Sequence, residues 1–347
     1  MKVLAGTVRF ILISLLVLAV CSPLYFSILR TAVFNTTPRD DYAPYLLHII
    51  HLGGSQFGSP FGYRFLSVAI AIPLYYIEPL YRFTNAPQMA TTYLRATEAL
   101  SMISFLSVIG GSAIQYLILR RLRVTRELAV CGAFLFFLGC GFIGLTTIDP
   151  LALFMISVLF LWIDKPILFS LTVLPMAIVN EKIVVLWFAI LWGRYFYAKI
   201  RHEDYIQTMQ LIAVSASAAI YGTLVALWHL PGDNNQRDIL LYPRQAYATL
   251  LHCLNSKGLI LNVLPVVLLT LAVFYLWRSP KSEYKRIDSL GLVALILAAS
   301  VGDVTYNVGR ISIYFMPIII TPLVIALSTR SERNSNMAGA APRDVTL

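Results

Sequence analysis

Residues 62–81 read GYRFLSVAIAIPLYYIEPLY. The stretch has the length of a membrane-crossing helix, about 20 residues, and most of its side chains are apolar. It also carries Arg64, Glu78 and two prolines, Pro73 and Pro79, and Arg82 follows directly. Proline removes a backbone donor and breaks the helix ladder. A charged side chain at mid-bilayer costs about 2.5–3.5 kcal/mol on insertion scales. We therefore read 62–81 as a juxtamembrane or re-entrant helix on the outer side rather than a crossing.

The rest of the chain turns on that reading. Ten further apolar runs lie at 10–29, 96–119, 127–147, 149–163, 166–179, 181–198, 206–229, 258–277, 288–306 and 311–328. Three connectors are strongly basic: 120–126, 194–201 and 278–286. With all eleven runs crossing and the N-terminus inside, these connectors fall outside, against the rule that Lys and Arg stay in cytoplasmic loops. Removing 62–81 from the count returns all three to the inside, together with Lys2, Arg9, Lys165 and most of the 27 Lys and Arg residues. The rival, eleven crossings with the N-terminus outside, exports the N-terminal basic residues.

Composition agrees. The chain has 347 residues, 58% hydrophobic and 13% charged, against about 25% charged in soluble domains. The mean hydropathy is +0.74. These values exclude a water-soluble globular enzyme, a disordered protein and a disulfide scaffold. The net charge of +10 reads as basic cytoplasmic loops, not as a nucleic-acid surface. The four cysteines form no CxxC pair. The expected fold is an all-α polytopic membrane protein of about ten transmembrane helices. Residues 1–328 form one membrane domain with an exoplasmic first loop, 30–95, carrying juxtamembrane helices. Residues 329–347 are expected to form a disordered cytoplasmic tail.

This topology gathers polar residues on the outer face. Asp40 and Asp41 lie in the first loop, Asp149 opens one run, and Asn180, Glu181 and Lys182 separate two others. Arg310 lies between the last two. The runs ending at Ile178 and starting at Leu151 are short. At 1.5 Å per residue, residues 166–178 span roughly 20 Å, so Glu181 lies below the outer boundary, and Asp149 is similarly sunk. Carboxylates at that depth call for water or a partner. Lys182 and Arg310 are expected as counter-ions or as phosphate ligands. For each residue a plainer reading stands beside this one. Asp149 before Pro150 fits a helix N-cap, Glu181–Lys182 fits a structural ion pair, and Asp40–Asp41 fits a cap for the helix that follows. His48 and His51, three apart, lack a third metal ligand.

Several short motifs recur in a recognisable order. Asp40-Asp41 form an acidic pair after the first run. Ser59-Pro60-Phe61-Gly62-Tyr63-Arg64-Phe65-Leu66 contains a Y-R-x-L start. Asp149-Pro150-Leu151-Ala152 opens a helix, Asn180-Glu181-Lys182 follows, and Gly309-Arg310 precedes Tyr314 and Pro317. This order resembles the polytopic lipid-linked-sugar glycosyltransferases of GT-C architecture, in particular short bacterial members. Asn180 and Lys182 stand where many of those proteins have Arg and Thr.

The resemblance implies transfer of a sugar from a polyprenyl-phosphate donor to an acceptor, with inversion, at the outer face of a bacterial inner membrane. Asp41, with Asp40 as alternate, is implied as general base. Arg310, Lys182 and Arg64 are implied as donor-phosphate ligands. Asp149, Asn180, Glu181 and Tyr63 would line the acceptor cavity. A divalent cation, Mg or Mn, held by Asp40, Asp41 and Asp149 is a further expectation. The expected partners are the bilayer, the lipid-linked sugar and an acceptor the sequence does not identify. Two other classes fit the same features: a transporter or flippase of lipid-linked sugars, and a polysaccharide polymerase or non-catalytic membrane subunit.

Overall fold

The structure is a computed structural model and describes residues 11, 15, 42–53, 64–82, 91–141, 149–204, 207–227, 320, 321 and 324. The runs at 258–277 and 288–306, the tail and the loop 230–257 lie outside the described residues. So does most of the runs 10–29 and 311–328. Among the described residues every regular element is helical and there is no strand. Three helices are long and apolar enough to cross a membrane: Thr91–Arg121, Glu181–Ile200 and Thr208–Leu227.

The elements in chain order are α1 (Ala43–Ile49), α2 (Phe65–Ala69), α3 (Ile72–Ile77) and a 3-10 turn (Glu78–Leu80). Then come α4 (Thr91–Arg121), α5 (Arg126–Gly141), α6 (Asp149–Leu161) and α7 (Pro166–Val173). A 3-10 turn (Leu174–Ile178), α8 (Glu181–Ile200) and α9 (Thr208–Leu227) complete the series. The stretch that decided the sequence reading is broken into three short pieces, with Pro73 at the start of α3 and Pro79 in the turn. No piece approaches the length needed to span hydrocarbon.

α4 is the centre of the bundle. Its 31 residues contain no proline and are rich in Leu, Ile and Ser. It packs against α1, α3, α5 and α6. Gly110 and Gly111 face aromatic side chains of two of those neighbours. A Cβ at Gly110 would stand 2.8 Å from the Phe154 ring of α6, and one at Gly111 would overlap the Phe136 ring of α5. Small residues at such positions let helices in membranes approach closely. α4 ends at Arg120–Arg121, where cations complement the helix dipole. Arg123 then takes a left-handed φ of 62°, and the Val124 N–H returns to the Leu119 carbonyl at 3.1 Å, which closes the C-terminus.

The α7 region is interrupted for a local reason. Pro175 cannot continue the ladder, so the chain tightens into a 3-10 turn. The carbonyls of Val173 and Leu174 instead accept from Ser217 Oγ of α9, at 2.8 and 3.2 Å. The chain then extends at Asn180 (φ −167°), whose side-chain Oδ1 accepts the Lys182 N–H at 3.1 Å and caps α8.

These contacts define two ends of the bundle. At one end Arg121 reaches the Leu161 carbonyl and Asp164, Gln210 reaches the Ile163 carbonyl, and Arg194 reaches Gln207. The connectors around 120–126, 162–165 and 201–207 therefore share that end, and it is rich in arginine. The opposite end holds Tyr42, Arg64 and the start of α8. Large apolar side chains face outward between the ends, among them Phe134, Leu171, Val185, Phe196 and Ile212. A soluble bundle would present polar residues there.

Candidate functional site

The end of the bundle opposite the basic connectors carries a buried ionic knot. Arg64, the residue before α2, donates from Nε and Nη2 to the two oxygens of Glu181, the first residue of α8 and 117 positions away. The Nε contact is 2.7 Å. The third arm, Nη1, donates to the Tyr42 hydroxyl at 3.0 Å. Arginine's planar fork matches a carboxylate in this two-point geometry. The Arg64 side chain is 4% exposed and that of Glu181 15%. A neighbouring bond from Ser67 Oγ to the Val179 carbonyl pins the next turn of α2 to the same connector.

The local sequence explains how the groups converge. Pro175 ends α7 early, so the chain turns back at Val179–Asn180 and puts Glu181 in the first turn of α8. A carboxylate there is favoured by the helix dipole. Tyr42 precedes α1, whose Tyr45 and Leu46 are buried among the bundle residues. The segments that precede α1 and α2 and the α7–α8 connector thus meet at one guanidinium.

The sequence-derived residues fall into three groups. Arg64, Asn180, Glu181 and Lys182 are brought together. Asp149 opens α6, which runs from this end toward the Arg121 contact, so its backbone belongs to the same end. Asp40, Asp41, Tyr63 and Arg310 lie outside the described residues. The partner of Glu181 differs from the expected one. Lys182 and Arg310 were the candidate counter-ions, and Arg64 takes both carboxylate oxygens. Its fork is therefore engaged by protein and not turned toward a phosphate. Asn180 is 1% exposed, and while Oδ1 caps α8 its Nδ2 has no hydrogen-bond partner. Among the described residues no group of three His, Cys, Asp or Glu stands close enough to hold a metal ion.

Sequence reasoning missed Tyr42 and Ser67. The signal for Tyr42 was its place immediately after Asp41. Ser67 gave none, because its partner is a backbone carbonyl 112 residues away. Compared with protein-family models, curated proteins and solved structures, the chain matches none.

Proposed function

We propose that the chain is a membrane glycosyltransferase that moves a sugar from a polyprenyl-phosphate donor to an acceptor on the exoplasmic face. In this reading ten helices span the membrane with both termini cytoplasmic, and the arginine-rich end of the bundle faces the cytoplasm. The knot end faces outward, in a bacterial inner membrane. The observation that carries the proposal is the Arg64 clamp. It joins Glu181 at the start of α8 to Tyr42, one peptide bond after the Asp40–Asp41 pair. Acidic first-loop residues and the α7–α8 connector then serve a single site.

The chemistry follows from the groups named. Asp41 accepts the proton of the acceptor hydroxyl as its oxygen forms a bond to the anomeric carbon. The bond from that carbon to the donor phosphate breaks on the opposite face, so configuration inverts and polyprenyl phosphate leaves. Lys182 and Arg310 hold the departing phosphate. Asp40, Asp41 and Asp149 are the oxygen donors that would hold a divalent cation, Mg or Mn, whose charge would offset the same phosphate. Arg64 is a positioning residue, because its fork is occupied by Glu181 and Tyr42. Asn180 Nδ2 is a buried donor suited to an acceptor-sugar oxygen.

The test uses vesicles containing the full chain and labelled polyprenyl-phosphate sugar. Asp41→Asn is expected to abolish transfer while expression is unchanged. Normal turnover by that variant would move the assignment to a transporter or flippase of lipid-linked sugars.

A further inference from the structure

At the arginine-rich end of the bundle one guanidinium stitches two connectors together. Arg121, the last residue of α4, donates from Nη1 to the Leu161 carbonyl at 3.1 Å and from Nη2 to Asp164 at 3.0 Å. Arg120 Nη1 donates to the Val124 carbonyl, and the backbone between them turns at Arg123 with φ 62°. Residues 120–127 and 164–165 carry five Arg and Lys side chains against two carboxylates, Glu127 and Asp164. Arg120 and Arg121 are taken up by the fold. Arg123, Arg126 and Lys165 are exposed, and no hydrogen bond or ion pair ties their side chains to another described residue. The Arg121–Asp164 pair brings Lys165, the neighbour of Asp164, to the corner of the bundle where Arg123 stands two residues beyond Arg121. None of these residues belongs to the Glu181 site.

Below the cations the surface is apolar. Arg126 opens α5, and the exposed Val130 and Phe134 follow it at intervals of four along one ridge of the helix. Lys165 precedes α7, on which Ile167 and Leu171 are 62% and 65% exposed. Three untied cations above exposed apolar helix faces match an amphipathic anion, a phosphate with hydrocarbon attached. A soluble anion would use the cations alone. We propose that Arg123, Arg126 and Lys165 hold the headgroup phosphate of an anionic phospholipid whose acyl chains lie against the exposed faces of α5 and α7. The arginines offer forked donors to phosphate oxygens, and the lysine a compact charge. Arg120 and Arg121 are positioning residues, because carbonyls and Asp164 engage their donors. The competing arrangement is a diffuse attraction, in which the basic residues act only through their summed charge. Lys199 and Arg201 of the same end separate the two, since their cations lie over the Tyr195 and Tyr197 rings, 5.7 and 4.9 Å from the ring centres. They supply charge outside the corner.

Native mass spectrometry of the full chain, titrated in detergent with equimolar phosphatidylglycerol and phosphatidylcholine at fixed ionic strength, counts the bound lipid. Wild type is expected to retain phosphatidylglycerol in preference. Each Lys or Arg beside an anionic lipid surface strengthens binding about fivefold. Arg123→Asn with Arg126→Gln, Asn being suited to a left-handed φ, is therefore expected to weaken phosphatidylglycerol binding about 25-fold. Lys199→Gln with Arg201→Gln removes the same charge and is expected to leave that binding little changed. Equal losses in the two variants, or a wild type without preference, overturn the proposal. Inorganic phosphate has no tail and is expected not to displace the lipid at the same ionic strength. Displacement by it assigns a free-anion site and overturns the lipid one. The wild-type measurements give an answer even if a variant does not fold. No readout involves glycosyl transfer or the direction in which the chain crosses the membrane, so the result stands apart from the fate of the enzymatic proposal.

Discussion

Replacing Arg64 with Met tests whether the knot holds α1 and α2 to the start of α8. The substitution keeps an apolar side chain of similar reach and removes all three donors. Glu181 loses both of its charge-assisted bonds, and the Tyr42 hydroxyl loses the Nη1 donor. Deleting one partner of a buried ion pair costs about 3–5 kcal/mol, because the remaining charge is left uncompensated. Glu181 is 15% exposed, so some water reaches it. The expected loss is therefore about 3 kcal/mol, more than a hundredfold in the folding equilibrium. Replacing both members, Arg64→Met with Glu181→Met, removes the stranded charge. Apolar replacement of a whole buried pair is often neutral, so the double variant is expected to recover at least ~2 kcal/mol relative to the sum of the singles. Unfolding of the full chain in mixed micelles of rising SDS fraction, followed by intrinsic tryptophan fluorescence, to which Trp187 and Trp192 of α8 contribute, reads each value. An Arg64→Met loss below about 0.5 kcal/mol, as at an ordinary surface site, or a double variant equal to the sum, refutes the reasoning.

Three further outcomes are expected. The Arg82 guanidinium, hydrogen-bonded to Glu78, holds that carboxyl below the usual glutamate range, against the opposing push of burial. A lowered native value stabilises the fold above the ordinary glutamate pKa of about 4.3 and loses that contribution as pH falls through the native value. Glu78→Gln should therefore flatten the acid limb of an unfolding-midpoint curve measured below about pH 4.3. Gly111→Val drives a side chain into the Phe136 ring and should cost about 1–3 kcal/mol by overpacking, with Gly193→Val, where nothing lies within 4 Å, as the milder control in the same assay. Finally, Tyr93 and Arg123 flank the two ends of the single helix α4. A periplasm-active reporter should work when fused at Tyr93 and be silent at Arg123, and the reverse pattern breaks the ten-span topology.

Much of the helix layout was legible in the sequence. The runs at 96–119, 166–179, 181–198 and 206–229 fall on α4, on α7 with its 3-10 turn, on α8 and on α9. Apolar runs bounded by arginines or prolines set these limits locally. The interruption of 62–81 was legible for the same reason, since Pro73 and Pro79 act on their own turns. What was not legible is pairing. Glu181 stood out by depth, yet its choice of Arg64 over Lys182 depends on how α2 docks against the α7–α8 connector. Glu78 stood out only as a charge among prolines, and the approach of Arg95 of α4 to 3.4 Å from its carboxylate appears only once the two elements are docked. Tertiary docking, not residue spacing, decides both.

The Gln115 amide of α4 donates to Thr321 Oγ1 at 2.8 Å, across 206 residues of chain. Ribosomes add about 5–20 residues per second, so the partner emerges roughly 10–40 s after Gln115 has been made. For that interval the central helix awaits a latecomer, and an early stop in translation would leave its polar amide facing lipid or a neighbour's backbone. Assembly of this bundle is thus timed by its far end.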